Sequence, residues 1–233
     1  MNLIKPGYKI LTPISNQGWA ELTFIEDVAR YCYKSEANND GDFEKTKKFV
    51  KGLISRGHHA MLEHSMLTVA FLTDRGVSHE IVRHRHFSFA QESTRYCNYA
   101  KDKFGSELTF IEPYWYDSAS YNDKKIFEEQ CKATEKTYLY QIDSGLQPQG
   151  ARAVLPNAIK TEIVVTGNYR EWRHFLSLRA ANSTGKAHPD MNRIACPLLL
   201  ELHERIPVIF DDVYEMMLQS KDAMKWIEER LAI

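Results

Sequence analysis

The stretch "AIKTEIVVTGNYREWRHFLSLRAA", residues 158–181, changes its period midway, and that change decides the fold class. Up to Gly167 the side chains alternate, with Ile159, Thr161 and Ile163 falling on one side, as in a strand with one buried face. From Asn168 the spacing becomes helical. Asn168 followed by Glu171 three positions on is a capping-box-like start, and it phases a stripe of Trp172, Phe175 and Leu176.

Working outward, "SMLTVAFLT" (65–73) is short, apolar and bounded by polar residues, so it reads as a second strand. "GWAELTFIEDVARYCYK" (18–34) and "GDFEKTKKFVKGLISRG" (41–57) carry Trp19, Leu22, Ile25 and Val28, then Phe43, Phe49, Val50 and Leu53, at helical spacing. Residues 123–143 read as a long helix with mixed surface charge. The last third is helical over 168–181, 188–206 and 211–231, with a kink expected at Pro197. No repeat and no Gly, Pro or Ser linker appears. The map predicts a single α/β (α+β) domain over 1–233, a small and mostly antiparallel sheet surrounded by helices.

Thirty basic against thirty-one acidic residues leave a net charge of −1, which removes the bulk signature of a nucleic-acid binder and makes any anion recognition local. The four cysteines, Cys32, Cys97, Cys131 and Cys196, have no C-x-x-C spacing, which fits a reducing cytoplasm better than a disulfide scaffold. No apolar run approaches the roughly 20 residues a membrane helix needs, and the start lacks a signal peptide's pattern.

Some residues break the pattern. Arg179 continues the stripe of Trp172, Phe175 and Leu176, and a guanidinium on a buried face needs an acidic partner, a bound ligand or a route past the helix end. In "DRGVSHEIVRHR" (74–85) Asp74 is a plausible N-cap, and Val77, Ile81 and His84 share a face. If that helix persists to Arg85, Arg83 and Arg85 project to opposite flanks and cannot grip one small ligand together. Then "HFSFAQESTRY" (86–96) loses helical periodicity and offers Ser88, Gln91, Ser93 and Arg95, donors suited to a phosphate and a heterocycle. The histidines lack zinc-site spacing, so no metal is expected. Ser93 and Cys97 lack the setting of a nucleophile. Phosphoryl transfer through Arg83 and His84 remains a rival on chemistry alone, as does a nucleotide- or RNA-binding module without activity.

Arg83, His84 and Arg85, then seven residues, then Ser93, with Arg95 and Tyr96 after it, match the R-H-R-x7-S signature, and the chain here resembles the flavin-dependent thymidylate synthases. "GHHAMLEH" (57–64), "ARAVLPN" (151–157) and "TGNYREWRHFLSLRA" (166–180) join it in the family's order, so the resemblance spans roughly residues 18–205. The resemblance implies a homotetramer with active sites between subunits. It also implies methylation of dUMP to dTMP with methylenetetrahydrofolate as carbon donor and NADPH as reductant through FAD, a flavin that carries the redox chemistry itself. By position, Glu80, Ile81, Val82 and Arg83 with Gln91, Glu92, Ser93, Thr94 and Arg95 are implied as dUMP-binding in one subunit, and Arg152 in another. His58, Arg83, His84, Arg85, Gln91, Asn168, Tyr169, Arg170, His174 and His188 are implied as flavin contacts. Arg179 is implied as the catalytic arginine that polarises the uracil, with no enzymic nucleophile. Departures are Ala60 and Ala90, where relatives place polar residues, and a longer "STGKAHPD" (183–190), on which the place of His188 depends.

Overall fold

Alternating and helical spacing become strands and helices at the expected places. The computed structural model describes residues 1–35, 41–101 and 105–231. Two long strands, β3 (Met66–Asp74) and β6 (Lys160–Asn168), form the centre of an antiparallel four-stranded sheet whose order is β2-β3-β6-β4, with β2 at Gly7–Ile10 and β4 at Ser88–Gln91. Ile159, Thr161 and Ile163 are buried, as the alternation predicts. A separate parallel pair joins β1 (Asn2–Ile4) to β5 (Thr109–Ile111), with Leu3 opposite Phe110.

The chain divides into two compact units. The first comprises Met1–Gly7, Phe71–Arg83 and Phe89–Val164, and the second Tyr8–Ala70, His84–Ser88 and Val165–Ile233. In the first, α4 (Tyr121–Asp143) and the short α5 (Pro148–Ala151) cover a core of Leu108, Phe110, Cys131, Tyr138 and Ile159. In the same unit α3 spans Arg75–Ile81, and Asp74 caps it by accepting from the Val77 amide at 2.8 Å. The helix does not reach Arg85. Val82 closes it, and the Arg83 amide turns back to the Glu80 carbonyl at 3.3 Å, so a tightened turn replaces the flank geometry expected for Arg83 and Arg85.

The second unit is mostly helical: α1 (Trp19–Tyr31), α2 (Phe43–Ser55), α6 (Tyr169–Arg179), α7 (Pro189–Arg205), α8 (Asp211–Leu218) and α9 (Lys221–Leu231). The stripe of Leu22, Ile25, Val50 and Leu53 is buried, as is that of Trp172, Phe175 and Leu176. Helix α6 starts where the cap predicts, with the Glu171 amide donating to Asn168 Oδ1 at 2.9 Å. Helix α7 runs on through Pro197. The helix expected over 211–231 is two, because Ser220 interrupts it and its hydroxyl accepts from the Ala223 amide, starting a new turn.

Two packing details fix the unit's centre. Gly167 lies so close to Phe87 that an added Cβ would stand 2.2 Å from the ring, which explains a glycine in β6. Trp172 is fully buried and its Nε1 donates to the Leu67 carbonyl of β3 at 2.9 Å. Each unit also holds a buried thiol. Burial pushes Cys131 up to about 11 and Cys196 up to about 12, whereas Cys32 is exposed.

Candidate active site

Five of the site residues expected from the sequence line two hollows, one in each unit: Asn168, Arg170 and His174 in one, Thr94 and Arg152 in the other. In the second unit a cavity of about 760 Å³ is lined by His59, Glu63, His86, Asn168, Arg170, Glu171, Arg173, His174, Ser177, Asp212, Val213 and Met216. Its size suits a cofactor-sized ligand. The start of α6 supplies most of one wall, because the cap at Asn168 sets the phase that places Arg170, His174 and Ser177 along one side. Of the expected flavin residues, Asn168, Arg170 and His174 line this cavity.

Others stand elsewhere. Tyr169 is buried against Phe210, with ring centroids 6.0 Å apart, and burial raises its phenol far above its usual range. Only its backbone can meet a ligand. His58 is exposed beside the lining residue His59. His188 is exposed and caps α7, its Nδ1 accepting from the Asp190 amide at 3.2 Å, and it does not line the cavity. Arg85 is exposed.

His84 and Arg179, named separately from sequence, meet in this unit. Arg179 Nε donates to His84 Nε2 at 3.1 Å, so the proton of the neutral imidazole sits on Nδ1. His84 is buried between Phe175, edge-on at 4.9 Å, and Phe87 and His174 at 6.2 and 6.1 Å. Burial, then the Arg179 charge, then His174 lower its pKa to about 4. A neutral imidazole with one nitrogen engaged and the other protonated is a poor phosphoryl acceptor, which disfavours the phosphotransfer rival. It also leaves the guanidinium charge of Arg179 uncancelled by His84.

The pKa carries a stability prediction. The folded-state value lies below the ordinary 6.5, so the unfolded chain takes up the proton first as pH falls. The stability is whole above pH 6.5 and is lost on the way down to about 4, by on the order of 3 kcal/mol. Urea unfolding at pH 7 and pH 4.5 should therefore show a smaller acid loss for His84→Gln, which still accepts a hydrogen bond but does not titrate. Equal losses would refute the assignment.

In the first unit a second hollow, of about 320 Å³, is lined by Arg75, Thr94, Arg152, Ala153 and Leu155. Thr94 and Arg152 were both expected at the nucleotide, from different subunits. One chain already brings them together. Beside it Ser93 and Arg95 share a turn, the Arg95 amide donating to Ser93 Oγ at 3.3 Å and its Nε to Gln149 Oε1 at 3.2 Å. Ile81 is fully buried, whereas Val82 and Arg83 are exposed and Glu80 is half-buried.

Two expected ligand residues are committed internally. The Glu92 carboxylate accepts from Tyr99 Oη at 2.9 Å and from Lys160 Nζ at 3.0 Å. Gln91 Nε2 donates to Ser78 Oγ at 2.9 Å and Thr161 Oγ1 at 3.2 Å. Such side chains hold the turn that presents Ser93 to Arg95. Sequence reasoning missed Arg75, and it also missed Arg173, which is buried in α6 and pairs in bidentate fashion with Asp212 at 2.6 Å. That carboxylate lies 39 residues away, with nothing in the spacing to announce it.

Comparison with known proteins defines first a class and then a family. The fold is shared with a solved UMP/dUMP methylase, PolB of Streptomyces cacaoi bound with 5-Br dUMP, at a TM-score of 0.72 and 20% identity over 95% of this chain and 99% of that one. The profile of the thymidylate synthase complementing protein family matches residues 19–208. Curated relatives include the flavin-dependent thymidylate synthase of Corynebacterium aurimucosum, 36% identical over 82% of this chain and 79% of its own. That of Mycobacterium bovis is 34% identical over 81% and 78%. The chain belongs to this family of enzymes, the flavin-dependent thymidylate synthases.

Proposed function

We propose that the protein methylates dUMP to dTMP, with methylenetetrahydrofolate as carbon donor and NADPH as reductant through bound FAD. The observation that carries this reading is the cavity at the head of α6, where Asn168, Arg170 and His174, three of the residues the family resemblance assigns to flavin, line one space of about 760 Å³. The lining offers a flavin dinucleotide the Asn168 amide and three imidazole rings, together with Arg170 and Arg173, which are also bonded to the lining carboxylates Glu63 and Asp212. When bound, FAD supplies the redox chemistry between NADPH and the transferred carbon.

The chain's own residues position and polarise. Asn168, Arg170 and His174 hold the cofactor, with His58, His84, Arg85, Tyr169 and His188 as further candidates. Glu80 to Arg83, Gln91 to Arg95 and Arg152 hold dUMP, the backbone serving where a side chain is buried or committed. Arg179 faces the uracil carbonyl oxygen, favours ionisation at N3 and raises electron density at C5, a preorganised charge aimed at developing negative charge. His84 accepts the Arg179 Nε proton and so fixes the orientation of the guanidinium fork that meets the substrate. Both units serve one catalytic domain, which works in the cytoplasm as a homotetramer with shared active sites.

The test is direct. Purified protein should show a flavin absorbance spectrum and release tritium from C5 of dUMP only when NADPH and methylenetetrahydrofolate are both present. Protein that cannot be loaded with FAD, or that releases no tritium once loaded, would overturn the reading.

A further inference from the structure

Arg75 directly follows the Asp74 cap of α3, and its surroundings are those of a ligand residue. Its backbone is pinned. The Arg75 amide donates to the Asn157 carbonyl at 2.9 Å and lies 3.2 Å from that of Ile159, directly after the segment that carries Arg152. The residue is half-buried, and its Nη1 is shut off from solvent with no hydrogen-bond partner in the protein. A buried donor left unmade costs free energy, more so on a charged group, and chains retain such groups where something else completes them.

The hollow that Arg75 shares with Thr94, Arg152, Ala153 and Leu155 says what that something is. Two arginines line it and no acidic residue does. No salt bridge joins Arg75 or Arg152 to an acid among the described residues. Two cationic residues lining one hollow repel, and a dianion placed between them turns that repulsion into two charge-assisted contacts. Thr94 is buried and adds a hydroxyl, and the turn that carries it also carries Ser93 and Arg95. The chemistry is that of a phosphomonoester.

We propose that Arg75 is a further substrate-binding residue, whose guanidinium joins Arg152 and Thr94 in gripping the phosphate of the nucleotide. This deepens the functional reading above and rests on it for the identity of the nucleotide. Arg75 acts on the phosphate end alone, far in chemical terms from the ring that reacts, so its loss weakens binding of the phosphorylated substrate and leaves the nucleoside indifferent.

The experiment measures binding of dUMP and of deoxyuridine to the FAD-loaded protein by calorimetry, for wild type and Arg75→Gln, with tritium release recorded alongside. Arg75→Gln should bind dUMP roughly 10- to 100-fold more weakly and deoxyuridine unchanged. Unchanged dUMP affinity would overturn the proposal, as would an equal loss for dUMP and deoxyuridine, the mark of a merely structural role. If Arg75→Gln does not fold, Arg75→Lys keeps the stem and charge but not the fork: dUMP weakened several-fold with deoxyuridine unchanged supports the proposal, and wild-type affinity sinks it. The two readings fail separately. Wild type that turns over while Arg75→Gln binds dUMP normally rejects only Arg75. Wild type that binds dUMP in an Arg75-dependent way without methylating it rejects only the activity. Wild type that does not bind dUMP rejects both.

Discussion

Arg179→Ala should fold, take up FAD and bind dUMP, yet turn over roughly 10²- to 10³-fold more slowly, the usual cost of removing one preorganised donor aimed at developing charge. The backbone at this position does not depend on the side chain. Asn192 Nδ2 donates to the Arg179 carbonyl at 2.6 Å, and Trp172, Phe175 and Leu176 anchor the rest of the helix. Among its contacts the variant loses the donor to His84 Nε2, a penalty of about 1 kcal/mol that the fold can absorb. The measurements are tritium release from C5, the flavin spectrum and a melting curve. Normal turnover would remove Arg179 from the mechanism, and loss of flavin with unfolding would make it structural.

Trp172→Ala should cost the second unit about 3–5 kcal/mol, enough to abolish most of the margin of an ordinary domain. The indole is fully buried, packs against Phe87 at 4.6 Å and Phe175 at 5.6 Å, and ties α6 to β3 through the Leu67 carbonyl. Trp172→Phe separates the two contributions: it keeps most of the apolar contact and removes the indole donor, so its loss should be the smaller. Urea unfolding followed by circular dichroism reads both. A loss below about 1 kcal/mol for the alanine variant would mean that the site collapses around the missing ring.

The long elements were legible because each carries a full period of apolar spacing. Asn168 announced α6 by its cap, and Ile159, Thr161 and Ile163 announced β6 by alternation. The strands β1, β2, β4 and β5 were not, since three or four residues are too few to establish a period, and β4 lay inside a stretch that looked like a donor-rich loop. Helix α3 was legible at its start, where Asp74 caps, but not at its end, where the Val77, Ile81 and His84 stripe continues past the turn at Val82. Of the candidate site, Arg179 was legible as a cation on an apolar face. Its neighbour His84 lies 95 residues earlier, and only the fold brings the two within 3.1 Å. Arg75 gave no sign, because an arginine at the first position of a helix is unremarkable in sequence and its missing partner shows only in three dimensions.

The two buried cysteines give each unit its own reporter. A thiol-specific reagent labels the exposed Cys32 at once, but it reaches Cys131 only when the first unit breathes open and Cys196 only when the second does, and burial holds both as unreactive thiols until then. Two labelling rates from one sample therefore separate the local opening of the unit that carries Arg75 and Arg152 from that of the unit that carries Arg179.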